Sequence, residues 1–222
     1  MIRALLFDLD GTLIDSETPE FQAYGELYAE HGCELDLAEW AAGIGTMDGY
    51  RPLQRLAELI GRPVDEAAAS RFVSERYRQL ADPSFRPGVG ALLDECDRTG
   101  LARGVVSSSV RHWVEGSLRM AGDPVGWAGI WCAGDPGRGS EALPPKPDPA
   151  LYLRALAELG LAPAETLVFE DSPNGIAAAH AAGIRCVAVS NPVTARLDLS
   201  AADRVFDSFE ELRLSELLVS SV

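Results

Sequence analysis

Short runs of apolar residues occur along most of the chain, and most of them are followed by a pattern with helical periodicity. A continuous apolar run of strand length is typical of a buried parallel strand. Such runs predict strands at residues 3–9, 102–107, 128–133, 166–170 and 184–189, with a weaker one at 203–206. The helical patterns between them cover residues 88–98, 111–121, 149–159 and 173–182. This alternation predicts an α/β fold, with a Rossmann-like parallel sheet core and helices on both faces.

The segment of residues 16–86 departs from this alternation. It contains consecutive helical patterns and no convincing strand, and the patterns cover residues 17–31, 35–43, 49–60 and 64–80. A stretch with two prolines and a glycine, Asp82–Gly88, closes the segment. We therefore predict an all-helical domain at residues 16–86, inserted after the first strand into an α/β core formed by residues 1–15 and 87–222.

The first predicted strand ends in two carboxylates. Asp8 and Asp10 are separated by one residue and are followed by the turn residues Gly11 and Thr12. Because open α/β sheets bind their ligands at the carboxyl ends of the strands, chemistry is expected here. Two anions so close repel each other, which favours a bound cation or a shared proton. The alternative is an acidic turn that caps the next helix.

Hydroxyl groups follow the second core strand, at Ser107–Ser109. Their side chains and backbone N–H groups can hold phosphate oxygens at the start of a helix. Serines at this place also serve as helix N-caps, so both interpretations stay open. Arg111, His112 and Trp113 come next, and they face either the mouth of the site or the helix surface.

The chain contains one lysine among its 19 basic residues, Lys146. It stands between prolines in the stretch Pro144–Pro149, and prolines stiffen the loop that carries it. Arginine is used at every other basic position. The retained lysine therefore indicates a site that requires a compact ammonium group instead of a planar guanidinium group.

A second pair of carboxylates, Glu170 and Asp171, follows the apolar run Leu167–Phe169. Gly175 and further small residues come next, which suits a closely packed helix. Carboxylates are oxygen ligands of the kind that Mg²⁺ prefers, together with water and substrate phosphate. The sequence thus indicates a Mg²⁺ site built from the ends of two strands.

Composition and charge restrict the partners. The chain has 222 residues and a formal net charge of −15. Nucleic acids and anionic membranes need basic patches, so neither is expected, whereas a small phosphorylated metabolite can bind through local positive charge. No apolar run reaches the length of a membrane span, no signal-peptide layout is present, and the four cysteines are scattered, so we expect a cytoplasmic protein. No pattern determines an oligomeric state.

Taken in order, these motifs resemble those of the haloacid dehalogenase superfamily. The resemblance rests on the pattern DxDGT at Asp8–Thr12, the strand-end Ser107, Lys146, and the acidic pair Glu170–Asp171, each in a matching strand context. The helical segment resembles the cap of the phosphoglucomutase-like subfamily. Each motif alone is weak, but four in the same order form a specific signature.

The resemblance implies a role for each carboxylate. Asp8 would attack phosphorus and form an aspartyl-phosphate, which divides one difficult displacement into two. Asp10 would protonate the leaving oxygen and then accept a proton from the attacking water. Mg²⁺ would bind the side chain of Asp8, the backbone carbonyl of Asp10 and the side chain of Asp171, with Glu170 tuning the site directly or through water.

The resemblance also implies substrate-binding residues. The phosphoryl oxygens would be held by Ser107, Ser108 and Lys146, which would also neutralise the negative charge that the metal does not balance. The glycine-rich stretch at residues 43–51 corresponds to the specificity loop of the cap, where Arg51 is a candidate for contact with a second anionic group. The alternative is a plain turn between two helices.

The implied function is a Mg²⁺-dependent phosphatase that hydrolyses small phosphate monoesters, such as sugar or polyol phosphates. One alternative is a sugar phosphomutase of the β-phosphoglucomutase type, which shares the core motifs. Mutases carry a histidine early in the cap, where this chain has Glu20. A glutamate is ionised at neutral pH unless it is buried, so it cannot readily donate a proton there. A second alternative is a non-catalytic protein that binds a phosphorylated metabolite.

Overall fold

The strands of the predicted core form one parallel sheet. The structure, a computed structural model, describes residues 1–41, 43–44, 50–122, 126–137 and 141–219. Its strands are β1 (Ala4–Phe7), β2 (Ala102–Ser107), β3 (Gly129–Cys132), β4 (Thr166–Glu170), β5 (Arg185–Val189) and β6 (Arg204–Phe206). They pair in the order β3-β2-β1-β4-β5-β6, which puts β1 at the centre between β2 and β4. The predicted α/β fold is confirmed.

Helices cover both faces of this sheet. The helices of the described residues are α1 (Glu17–Glu30), α2 (Leu37–Ala41), α3 (Pro52–Ile60), α4 (Glu66–Leu80), α5 (Val89–Thr99), α6 (Arg111–Met120), α7 (Ala150–Leu159), α8 (Pro173–Ala181) and α9 (Leu214–Val219). Helices α5, α6 and α9 bury apolar side chains on one face, and α7 and α8 on the other. Side chains alternate along β1, so Leu5 and Phe7 pack on the first face and Leu6 on the second. None of the described helices combines the length and hydrophobicity that a bilayer crossing requires.

Strand β1 is shorter than predicted, because the chain turns after Phe7 instead of continuing as a strand to residue 9. The backbone N–H of Gly11 donates to the carbonyl oxygen of Ile14 at 2.8 Å within this turn. Gly11 has a φ of +79°, a left-handed conformation that suits glycine. A Cβ atom at Gly11 would also lie 2.1 Å from Oδ2 of Asp171. Glycine at this position therefore lets the loops after β1 and β4 approach each other.

Helices α1 to α4 pack around an apolar cluster of their own. The buried members of this cluster include Leu27, Trp40, Leu56 and Val73, one from each of the four helices. Val193, from the loop after β5, joins the cluster, so the helical segment (residues 16–86) lies against the α/β core. The division of the chain into two domains stays a prediction.

Several helix boundaries in this segment differ from the predicted ones by one to three residues. Helix α3 begins at Pro52 instead of residue 49, because the fixed φ of proline suits the first helical position. Helix α2 covers Leu37–Ala41, which is shorter than the predicted 35–43. Residues 45–49 lie outside the described part of the chain.

Gly175 allows the first turn of α8 to approach the end of β4. The Oγ atom of Ser172 caps this helix by accepting a hydrogen bond from the backbone N–H of Gly175 at 3.1 Å. A Cβ atom at Gly175 would lie 1.9 Å from Oε2 of Glu170, well inside the distance of a non-bonded contact. The small residue expected here from the sequence therefore makes room for a buried carboxylate.

The variant Gly175→Ala is expected to lower the free energy of unfolding by about 1–3 kcal/mol, because its methyl group overlaps the Glu170 carboxylate. Gly90→Ala is the matched control, since Gly90 also lies in the first turn of a helix but has open space around a Cβ atom. Chemical denaturation of both variants and the wild type measures the difference. Equal stabilities of the two variants would contradict the close approach.

Candidate active site

A cavity of about 1210 Å³ opens between the carboxyl ends of the strands and the helical segment. The core side of the cavity presents Asp8, Asp10, Ser107, Lys146 and Asp171. The opposite side is formed by side chains of α1 and α4, which include Glu17, Glu20, Tyr24, Val73 and Tyr77. The structure thus brings together most of the residues that the sequence singled out.

Lys146 joins three strand ends at the base of this cavity. Its Nζ atom lies 2.6 Å from Oδ1 of Asp8, 2.6 Å from Oε1 of Glu170 and 2.7 Å from the carbonyl oxygen of Val106. These partners belong to the ends of β1, β4 and β2. An ammonium group has three N–H donors, so each of them has a partner here. Direct contact between Lys146 and phosphoryl oxygens, as predicted, requires the exchange of one of these bonds.

Burial and repulsion between neighbouring carboxylates raise the pKa values of Asp8 and Asp171. Burial is the largest cause at Asp8, and together with the Glu170 and Asp10 carboxylates it outweighs Lys146 and raises the pKa of Asp8 to about 7. Burial, then Asp8 and Glu170, raise the pKa of Asp171 well above its usual value. Burial alone would lower the pKa of Lys146, but the two carboxylates that it contacts raise it. The ammonium group is charged, and one cation faces three carboxyl groups.

The donor set at this site fits a hard divalent cation. Asp8, Glu170 and Asp171 are buried, and each offers a carboxylate oxygen within 4.8 Å of the other two. Two donors orient Asp171, since Thr12 Oγ1 lies 3.3 Å from its Oδ1 and Asn191 Nδ2 lies 2.7 Å from its Oδ2. Oxygen ligands with an excess of negative charge suit Mg²⁺. The residues present therefore fit the metal that the sequence indicated.

The carboxylate of Asp10 is held by a separate set of donors. Its Oδ1 accepts hydrogen bonds from Ser16 Oγ at 3.0 Å and Trp113 Nε1 at 2.9 Å, and its Oδ2 accepts one from Ser109 Oγ at 2.6 Å. At the start of helix α1, Asp15 Oδ1 accepts a hydrogen bond from the backbone N–H of Thr18 at 3.0 Å, whereas neither Asp8 nor Asp10 caps this helix, so the capping alternative is not observed for that pair. Binding of the metal by the backbone carbonyl of Asp10 stays a prediction.

The serines after β2 line the cavity and do not cap a helix. Helix α6 begins after Val110, whose side chain makes no capping bond. The Oγ atom of buried Ser107 accepts a hydrogen bond from the backbone N–H of Ser109 at 3.0 Å. Ser108 Oγ accepts one from the backbone N–H of Lys146 at 3.1 Å, which joins two of the predicted motifs. The N-cap interpretation of these serines is therefore wrong.

The predicted contact of Arg51 with a second anionic group stays a prediction. This residue is exposed just before α3 and is not among the described residues that line the cavity. Residues 45–49 of the predicted specificity loop lie outside the described residues. Arg78 and His112 are the basic side chains that line the described cavity besides Lys146.

The residues Arg111, His112 and Trp113 take different positions. His112 and Trp113 line the cavity, in agreement with a place at the mouth of the site. Arg111 instead binds Asp135, with its Nη2 atom 2.7 Å from Oδ2 of that residue. Of these three residues in the first turn of α6, His112 and Trp113 line the cavity and Arg111 does not.

Arg86 and Asn191 are among the residues at the site that the sequence analysis did not predict. The guanidinium group of Arg86 donates to the carbonyl oxygens of Gly11 and Ser190. Asn191 donates to the carbonyl oxygen of Gly11 at 3.2 Å in addition to its contact with Asp171. These contacts join residues between 75 and 180 positions apart, and no spacing rule connects them. The one available signal was the place of Arg86 in the proline- and glycine-containing stretch that ends the helical segment.

Comparisons with known proteins agree with this architecture. The family model of haloacid dehalogenase-like hydrolases matches residues 2–183. The chain is 40% identical to the Bacillus subtilis protein YhcW, named as a candidate phosphatase, over 98% of this chain and 97% of the relative. It is 32% identical to the validoxylamine A 7'-phosphate phosphatase of Streptomyces hygroscopicus subsp. limoneus, over 96% of this chain and 97% of the relative. The crystal structure of CbbY from Rhodobacter sphaeroides in complex with phosphate is 32% identical, with a TM-score of 0.68 over 96% of each chain.

The matched region contains every strand-end motif of the cavity. It runs from the start of the chain through β1, β2, β3, β4 and α8, and so includes the two carboxylate pairs, the serines and the single lysine. The predicted resemblance is confirmed at the level of the superfamily. The chain belongs to the haloacid dehalogenase-like hydrolase family.

Proposed function

We propose that this chain is a Mg²⁺-dependent phosphatase that hydrolyses small phosphate monoesters, sugar or polyol phosphates in particular, through an aspartyl-phosphate on Asp8. The observation that carries the proposal is the position of Asp8, which faces the cavity while Lys146 holds its Oδ1 atom. The second carboxylate oxygen is then free to act as the nucleophile. A buried ammonium group beside it also balances negative charge as phosphorus is attacked.

Relatives named as phosphatases match nearly the whole chain, which confirms the predicted class of phosphoric monoester hydrolase. The substrates in their names support a small phosphorylated metabolite. One relative is named for validoxylamine A 7'-phosphate, and a CbbY variant 30% identical to this chain was crystallised with xylulose-(1,5)bisphosphate. Both names describe sugar-like compounds that carry phosphate.

Asp8, Asp171 and the backbone carbonyl of Asp10 would hold Mg²⁺, with Glu170 in contact directly or through water. The bound ion would supply charge neutralisation at the phosphoryl oxygens. Ser107 and Ser108 supply hydroxyl and backbone donors beside it, and both line the cavity. The protein residues thus position the phosphoryl group between the Asp8 nucleophile and the donors that follow β2.

Asp10 is the group suited to move the proton. It lines the cavity two residues after the nucleophile, and its side chain is oriented by Ser16, Ser109 and Trp113. A carboxyl group in this position would donate a proton to the leaving oxygen and later accept one from the attacking water. We propose that the helical segment is a cap, at residues 16–86, that shields these steps from bulk water.

The cap wall of the cavity carries carboxyl groups that a second phosphate on the substrate would meet. Glu17 and Glu20 line the cavity, so a sugar bisphosphate would place its second phosphate near carboxyl groups. A mutase depends on such a bisphosphate intermediate. Arg78, a basic side chain on this wall, is paired with Glu75 at 2.6 Å. Burial, followed by the Glu20 and Asp10 carboxylates, raises the pKa of Glu17 to about 8, so Glu17 is largely neutral near pH 7 and this wall does not by itself exclude a bisphosphate.

The expectation that Glu20 is ionised at neutral pH needs correction. Burial, followed by the nearby Asp10 carboxylate, raises the pKa of Glu20 to about 7. Near neutral pH a fraction of Glu20 therefore carries a proton, and its chemistry alone does not separate a hydrolase from a mutase. The products of the reaction separate these two activities.

We expect the wild-type protein with Mg²⁺ to release inorganic phosphate from several sugar and polyol monophosphates. ³¹P NMR of glucose 1-phosphate with a trace of the bisphosphate distinguishes the alternatives. Phosphate without glucose 6-phosphate supports the hydrolase. Accumulation of glucose 6-phosphate with little free phosphate identifies a mutase, and binding of these compounds without turnover of any identifies a non-catalytic protein.

Activity should depend on Asp8 and on a divalent cation. Asp8→Asn keeps the size of the side chain but removes the nucleophile, and we expect at least about a 10³-fold loss of kcat/KM. Chelation of divalent metal should abolish wild-type activity, and added Mg²⁺ should restore it. Asp94→Asn, at an exposed position on α5, is the control and should leave the rate unchanged. Full activity of Asp8→Asn or of the chelated enzyme would exclude this mechanism.

The role of Asp10 can be tested through the leaving group. Asp10→Asn should reduce hydrolysis of a sugar or polyol phosphate by about 10²-fold or more, because an alkoxide leaves poorly without a proton. Hydrolysis of p-nitrophenyl phosphate should fall much less, since nitrophenolate needs little protonation. Steady-state kinetics on both substrates provides the comparison. Equal losses would indicate that Asp10 supports the structure or holds the metal and does not transfer the proton.

A further inference from the structure

Trp113 lies between the carboxylate of Asp10 and the helical segment. The residue is in the first turn of α6, and its Nε1 atom donates to Oδ1 of Asp10 at 2.9 Å. Its ring system packs against the ring of Tyr77, with centroids 6.1 Å apart and an interplanar angle of 54°. Tyr77 belongs to α4, so one side chain contacts both a core carboxylate and the cap.

The three hydrogen-bond donors to Asp10 differ in how strongly they can fix the orientation of its carboxylate. Ser16 and Ser109 carry hydroxyl groups, which rotate and can both donate and accept. The indole N–H of Trp113 donates only, and it moves with a large rigid ring. Of these donors, Trp113 therefore sets the direction of the Asp10 carboxylate most strongly.

The position of the Trp113 ring is determined from two sides. On the core side the ring is partly buried against the apolar cluster that contains Phe7, and its neighbour Val114 is fully buried in that cluster. On the cavity side the ring meets Tyr77 of α4. Removal of either contact would give the indole, and with it the Asp10 carboxylate, more freedom.

We propose that Trp113 is a positioning residue that aligns Asp10 for proton transfer and links this alignment to the helical segment through Tyr77. The inference rests on the proposed function, because it assigns Asp10 the proton-transfer role. With α4 against the indole, the hydrogen bond from Nε1 holds Oδ1 and leaves Oδ2 beside Ser109. Trp113 thereby makes the acid/base group depend on the cap without itself exchanging a proton.

The variant Trp113→Phe tests the hydrogen bond, because it keeps an aromatic ring but removes the N–H group. Loss of a hydrogen bond to a charged group corresponds to about a tenfold or larger effect, and we expect that loss in kcat on a sugar or polyol phosphate. The KM should change by less than about twofold, because positioning acts on the chemical step. Turnover of p-nitrophenyl phosphate should fall by less than about threefold, since its leaving group needs little protonation.

Trp131→Phe is the matched control. Trp131 also donates its indole N–H to a carboxylate, Glu158 at 2.7 Å, but it lies on β3 and is not among the described residues that line the cavity. The control loses the same type of bond, so it reports any general effect of the substitution on stability. We expect it to leave the ratio of the two activities at the wild-type value.

Tyr77→Leu tests the link to the cap without altering Asp10 or Trp113. We expect the same selective loss on the poor leaving group, smaller than in Trp113→Phe. In the double variant the two effects on the ratio of activities should not add, because both act through one hydrogen bond. This second route keeps the proposal testable if Trp113→Phe does not fold, which thermal unfolding of each variant reports.

Equal losses on both substrates in Trp113→Phe, or a wild-type ratio of activities in both Trp113→Phe and Tyr77→Leu, would overturn the inference. Additive effects in the double variant would overturn the link through Tyr77. These outcomes are distinct from a failure of the proposed function. That failure would appear as a wild-type protein that releases no phosphate, or as an Asp10→Asn variant that loses both activities equally.

Discussion

The buried ammonium group of Lys146 is the interaction on which the rest of the site depends. It contacts the ends of β1, β2 and β4 through Asp8, Val106 and Glu170, so it joins the three central strands at the edge where ligands bind. Removing one partner of a buried ion pair leaves an uncompensated charge, which is strongly destabilising. The position is therefore constrained by both the fold and the chemistry. A guanidinium group, larger and planar, would not reach three acceptors in the same compact arrangement.

Charge balance around Lys146 explains why this site suits a metal and a phosphate. The combined negative charge of three carboxylates, those of Asp8, Glu170 and Asp171, exceeds the single positive charge of the ammonium group between them. Burial raises the free-energy cost of that excess. A divalent cation offsets the repulsion between the carboxylates. With the cation bound, the base of the cavity becomes attractive to a phosphoryl dianion, although the chain as a whole carries a net charge of −15.

The sequence predicted the elements and the strand-end motifs but not the contacts that orient them. Apolar runs and the spacing of Asp8 and Asp10 are local features, so the strands and the core side of the site could be inferred from them. The interactions of Asn191 and Trp113 join positions 20 and 103 residues apart, and they follow from how α6 and the loop after β5 pack. Arg51 is exposed outside the described lining of the cavity, and its contact with a second anionic group stays a prediction.

The two ends of the helical segment meet at the loop that follows β1, which connects this segment to the carboxylates at the strand ends. At the return to the core, the backbone N–H of Arg86 donates to the carbonyl oxygen of Leu13 at 2.9 Å, and its guanidinium group binds the carbonyl oxygen of Gly11. The same side chain lies over the ring of Phe209, 5.7 Å from its centroid, so the core holds it firmly. A displacement of the helices would therefore act on the turn between Asp8 and the start of α1. The helical segment can thus act on the carboxylates of the site along the backbone as well as across the cavity.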